Sequence, residues 1–224
     1  MFRGLLLLFL LTSGLVCPAQ KLAGNAGYSD LATGVTFPAK LAAFRKTTVR
    51  INSNPVIGTR IQYVSSEGRC LATIFIYALT ETPVPITEEE FRQHCRTIRE
   101  TILAQAKQTR EPAKSGVLQV TEVESLGRSC FTKGSAAVLR EKFLAHSDKE
   151  ETYHTEVAVL RLGDRIVKLR ISVPSALTEE NLNAEKFILA FCRLFFPGED
   201  LVFKPCAGPE PAADPKKING RNQI

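Results

Sequence analysis

Nowhere does this sequence hold the ~20 consecutive apolar residues that a membrane-spanning helix needs. Its greasiest stretch, "FRGLLLLFLLTSGLVCPAQ" at the start, is apolar only between Leu5 and Val16 and is broken by Thr12, Ser13 and Gly14. G-x-S-x-G, H-E-x-x-H and the P-loop pattern are all missing, so the commonest signatures of serine hydrolases, zinc proteases and nucleotide-phosphate binding are excluded. No two cysteines stand at C-x-x-C spacing, which removes the thiol redox motif and the usual zinc pair. Histidine occurs only as His94, His146 and His154. The net charge of +6 is partly carried by Arg3 and by the stretch from Lys204 onward. What is left is too weak an excess to indicate nucleic acid as a partner. No internal repeat is visible.

The opening segment has the three parts of an export signal. Arg3 and the amino terminus give the charge, Leu5 to Leu11 the apolar middle, and Cys17-Pro18-Ala19 the small residues before a cut that leaves Gln20 first. Bulky Val16 stands where lipid attachment to Cys17 would want a small residue. We therefore expect a signal peptide at 1–19, a flexible leader at 20–34, one folded domain at 35–203 and a disordered proline-rich tail at 204–224. The expected location is periplasmic or extracellular, with no transmembrane span in the mature chain. Six cysteines become an odd set after cleavage, Cys70, Cys95, Cys130, Cys192 and Cys206, in a compartment where disulfides can form.

From Val35 the pattern is strand-like. "AFRKTTVRI" and "GTRIQYVSS" alternate, and "CLATIFIYAL" is apolar on both faces, as suits a strand in the middle of a sheet. Pro83 and Pro85 end that run. Thr87 with Glu90 forms a capping box. Phe91, Cys95, Ile98 and Ile102 then recur at helical spacing. "GVLQVTEVESLG", "SAAVLREKFLAH", "ETYHTEVAVLRLG" and "RIVKLRISVP" read as four further strands. A second helix, "TEENLNAEKFILAFCRLFF", carries the stripe Ala184, Phe187, Ile188, Phe191, Leu194 and Phe195. The order β-β-β-α-β-β-β-β-α predicts an α+β fold: an antiparallel sheet of about six to seven strands with two helices packed on it.

This order resembles the fold of the PsbP family of extrinsic photosystem subunits. The segments "GTRIQYVSSEGRCLATIFIYAL" and "RIVKLRISVP" are also similar to those of a group of uncharacterised secreted bacterial proteins. The resemblance covers about Val35 to Phe196. It implies an accessory or binding role rather than catalysis, and it carries no site residue across.

The candidate sites are few. His94 lies about 100° round the helix from the Cys95 stripe and reads as exposed; as neighbours the two point apart and make a poor nucleophile pair. His146 and His154 flank the acidic loop "SDKEET" and are the candidate metal ligands, with Asp148, Glu150 and Glu151 nearby. Glu88-Glu89-Glu90 and Glu179-Glu180 sit at helix starts, where the helix dipole accounts for them. Arg50, Arg60, Arg140, Lys142, Lys168 and Arg170 occupy strand positions, and those that share a solvent face would suit an anionic headgroup or an acidic partner. Cys95 is expected to be a free thiol inside the first helix's stripe. The expected disulfides are Cys192–Cys206, by the chain folding back after Pro197-Gly198, and Cys70–Cys130 by elimination. The sequence implies no catalytic residue and no cofactor. The expectation is an exported non-enzymatic domain that binds a protein partner, a small ligand or an anionic component of the cell envelope. A secreted enzyme or metal-binding protein with its site near His146 and His154 is the second reading, and an envelope structural protein held by its tails the third.

Overall fold

The computed structural model describes residues 20–23, 26–108, 120–134, 136–147 and 149–206. The expected signal segment and the chain beyond Cys206 lie outside them. The first strands are β1 (Gln20–Ala23), β2 (Tyr28–Ser29), β3 (Thr36–Phe37), β4 (Lys40–Leu41), β5 (Phe44–Ile51), β6 (Thr59–Ser65) and β7 (Leu71–Tyr77). Helix α1 (Glu88–Gln108) follows, then β8 (Val120–Lys133), β9 (Ala136–Ser147), β10 (Thr152–Leu162) and β11 (Arg165–Pro174). Helix α2 (Thr178–Phe195) and the short β12 (Lys204–Pro205) complete the order. Ten strands form one antiparallel sheet in the order β1-β5-β6-β7-β11-β10-β9-β8-β12, with β4 paired to β5 off that path. The fold is α+β with two helices, as expected, and the sheet is wider than six to seven strands.

The extra strands are short ones at the margins, where composition misleads. The stretch expected as a leader contributes β1, which pairs with β5, and β2, which pairs with β3. At the other end Lys204, Pro205 and Cys206 belong to the folded part: β12 pairs with β8, setting Lys204 against Cys130 and Pro205 against Ser129. A few backbone hydrogen bonds to a ready-made edge order a segment that has no apolar period of its own.

The helices sit on opposite faces of the sheet. Ala158 and Leu160 of β10 pack with Phe187, Ile188 and Phe191 of α2, whereas Val157 and Val159 pack with Phe91, Cys95 and Ile102 of α1. Alternation along a strand makes these two faces. On the α2 face, Phe44, Ile61, Tyr63, Ile74, Leu169 and Ile171 are all sealed from solvent, and the Phe187 ring lies 4.6 Å from that of Phe44 and 5.4 Å from that of Tyr63. Phe195 lies at the margin of this layer, edge-on to Phe37. Helix α1 begins with the capping box: the Glu90 backbone N–H donates to Thr87 Oγ1 at 3.2 Å, and the Thr87 N–H donates to Glu90 Oε2 at 2.8 Å. Just before it, the Ile86 N–H donates to the Gly163 carbonyl in the β10–β11 turn, which starts the helix beneath β10. Arg99 then reaches Glu141 on β9 at 2.9 Å. Helix α1 thus runs beneath β10 and β9. Among the described residues no helix covers the same face of β5 and β6, and β7 meets α1 at Tyr77, which packs on His94.

The disulfide expectations are corrected. Cys130 is bonded to Cys206, with Cα atoms 5.4 Å apart. The β8–β12 pairing carries Cys206 alongside Cys130, since the Cys206 N–H meets the Arg128 carbonyl. Cys192 points into the α2 core and Cys70 starts the buried side of β7, so both remain free thiols, as does buried Cys95. No helix among the described residues is long and apolar enough to cross a membrane.

Candidate anion-binding face

Strand register decides which charged residues share a surface. Arg50 pairs with Arg60, Arg60 with Phe75, and Phe75 with Lys168, which makes one lateral row across β5, β6, β7 and β11. The next row on the same face runs Thr48, Gln62, Thr73 and Arg170. Neighbouring strands are ~4.8 Å apart, so the first row spans about 15 Å. Arg50 is exposed; Arg60, Lys168 and Arg170 are half-buried. Among the described residues none of these four cations has a carboxylate at ion-pair distance. Arg60 gives only a long bond to Gln62 Oε1 at 3.4 Å, and its Nε is buried without a partner.

Arg140 and Lys142 stand on the opposite face, so the six expected basic positions divide four and two. There Arg140 meets Glu156 and Glu185, and Lys142 also meets Glu185, which ties β9 and β10 to α2. Under α1, the buried Glu141 carboxylate receives Arg99 at 2.9 Å and Arg128 at 3.5 Å. Arg161 reaches Glu88 at 2.8 Å. The cations of the bare half-face stand apart from these in lacking an acid.

Where this half-face meets α1 there is a cleft of about 330 Å³. Phe75 and Tyr77 of β7, Lys168 and Arg170 of β11, and His94 and Ile98 of α1 line it. The Lys168 ammonium lies 4.8 Å from the centre of the Phe75 ring and 5.7 Å from that of Tyr77. Burial, and then the Arg170 charge, hold Lys168 below the usual lysine range; burial also lowers Arg170. Tyr77 Oη and His94 Nε2 are 2.6 Å apart. Burial first, and Lys168 second, depress the His94 imidazole to about 4, so it is neutral at pH 7. Burial raises the Tyr77 phenol. The arrangement can hold a negative charge against aromatic and aliphatic walls.

The sequence places His94 on an exposed side of its helix, and the structure corrects this. His94, Ile98 and Thr101 lie on the flank of α1 that turns toward β7 and β11. Spacing of four then three is the signal that links them. The hairpin does bring His146 and His154 to one face, since His146 opposes Thr152 and His154 opposes Leu144. Their partners differ: His146 Nδ1 is 3.4 Å from Thr152 Oγ1, and His154 Nδ1 is 3.1 Å from Asn181 Oδ1 on α2. Among the described residues no three His, Cys, Asp or Glu side chains gather as a metal would need. Glu180 is not simply a residue of the helix start: it is buried at 5% exposure and accepts a hydrogen bond from Ser65 Oγ at 2.9 Å.

No family model matches the sequence, and no curated protein matches it either. Among solved structures the chain is similar to the solution structure of cyanobacterial PsbP (CyanoP) from Synechocystis sp. PCC 6803, with 11% identity and a TM-score of 0.46, over 80% of this chain and 94% of that one. This is the PsbP-like fold resemblance that the element order implies. It is a likeness of fold alone.

Proposed function

We propose that this protein is an exported, non-enzymatic binding domain that engages an anionic component of the cell envelope through the bare, basic half of its sheet. The observation that carries this reading is the set Arg50, Arg60, Lys168 and Arg170 on one face with no carboxylate among them. Like charges set opposite each other, as Arg50 and Arg60 are, destabilise a strand pair. Half-burying a cation without a partner adds to that cost. An arrangement that works against the fold, beside a second face where Arg140 and Lys142 are neutralised by Glu156 and Glu185, suits an external anion. Export rests on the leading segment, and the Cys130–Cys206 bond supports it, because such bonds persist in oxidising compartments.

The test is retention of the purified protein on vesicles of phosphatidylglycerol against vesicles of phosphatidylcholine, over a salt series. Binding should favour the anionic vesicles and fall as salt rises. The double change Arg50→Gln with Arg60→Gln should weaken it ~30-fold, at about 1 kcal/mol for each surface cation. Arg92→Gln, on the outer side of α1, serves as the control. Equal retention on both vesicle types would remove the reading.

A further inference from the structure

We propose that the cleft between α1 and the β7–β11 pair binds a small organic carboxylate with an apolar body. This site lies at the inner end of the basic half-face and rests on the reading of that face as anion-binding. Its volume of about 330 Å³ falls at the low end of ordinary small-ligand clefts.

The two ends of the cleft differ in chemistry. Lys168 and Arg170 offer two positive charges, and no acidic residue lines the cavity. Lys168 is already held in place by the faces of Phe75 and Tyr77. Ordering that side chain on binding therefore costs little. Behind the cations the wall is Ile98, Ile102 and Val157. A neutral ligand would leave both cations half-buried and uncompensated. An inorganic anion would meet the cations and leave the aliphatic wall wet. A metal cation would find no carboxylate and would face two like charges. A carboxylate carrying an aliphatic or aromatic body satisfies both ends, with its charge on Lys168 and Arg170 and its body against the wall.

Decanoate, below its micellar concentration, is the probe, followed by calorimetry and by the NMR titration of the His94 ring. Acetate supplies the head without the body, and decanol the body without the charge. Decanoate should bind at least about tenfold more tightly than either, the size of one charge-assisted hydrogen bond. Lys168→Gln with Arg170→Gln should remove that advantage, and Lys168→Gln alone serves should the double variant fail to fold. The His94 imidazole faces Tyr77, Lys168 and Arg170, and Lys168 helps to hold it near 4. A carboxylate seated on Lys168 should move it upward, which localises the ligand independently of affinity. Decanol binding as well as decanoate, or unchanged decanoate affinity in the Lys168 and Arg170 variants, would overturn the proposal. Retention on anionic vesicles with no decanoate binding would defeat the cleft and leave the face reading standing. Decanoate binding without vesicle retention would do the reverse.

Discussion

Acid should weaken this fold through His94 in particular. The ring is held neutral by burial and by Lys168, with its titration moved from 6.5 to about 4. At pH 7 the folded chain leaves it neutral and the unfolded chain protonates it only in part, so little is lost. Below pH 6.5 the unfolded chain takes up a proton that the folded chain refuses until the pH nears 4. Stability must therefore fall as pH falls through that window. The sealed-site limit is about 1.4 kcal/mol for each pH unit, and partial exposure of the ring reduces it. We expect about 2 kcal/mol between pH 7 and pH 4.5. Carboxylates also lose their charge in acid. Glu185, held low by Lys142 and Arg140 against the effect of burial, is one of them. The comparison with His94→Gln isolates the imidazole, since glutamine can still meet the Tyr77 hydroxyl but does not titrate. Urea denaturation of both proteins at pH 7, 5.5 and 4.5 supplies the numbers. The wild type should lose about 2 kcal/mol more than the variant. Parallel losses, within roughly 0.5 kcal/mol, would refute the burial of His94 beside Lys168.

Phe191→Ala should cost ~3–5 kcal/mol in chemical denaturation, because Phe191 is fully buried between α2 and the sheet and leaves a cavity there; a loss under about 1 kcal/mol would contradict that packing. Gly58→Ala should destabilise by at least about 2 kcal/mol. Gly58 holds φ +62°, and an added Cβ would come within 1.9 Å of the Ile76 carbonyl oxygen. Thermal unfolding of the alanine variant at the wild-type temperature would show that the β5–β6 loop is placed otherwise. Replacing Cys130 and Cys206 by serine opens a bridge between residues 76 apart, worth about 4 kcal/mol in the chain-entropy account. Peptide mapping of unreduced protein checks the connectivity, and a Cys192–Cys206 peptide would contradict it.

What the sequence determines by itself is local. The Thr87–Glu90 box and the Phe91, Cys95, Ile102 stripe start and orient α1 through neighbours within a turn or two. The Phe187, Ile188, Phe191 stripe does the same for α2, and alternation marks Ile61 with Tyr63 and Ile74 with Ile76 as one buried face. The burial of Cys95 follows from its place in such a stripe. Partnerships across the chain are another matter. Lys168 lies beside Phe75 only because β11 returns to pair with β7, and Cys130 meets Cys206 only because two residues of β12 dock on the edge of β8. A single irregularity matters as much. Between Lys46 and Thr48 the pairing of β5 with β6 slips by one residue, so Phe44 and Val49 face the same core although they stand an odd number of positions apart. That slip puts Arg50 on the bare face with Arg60; unbroken alternation from Phe44 would have buried it beneath α2. Alternation is read from neighbours in sequence, whereas register, bulges and the choice of strand partner are settled by the packing of the whole sheet, because one residue of slip exchanges its two faces.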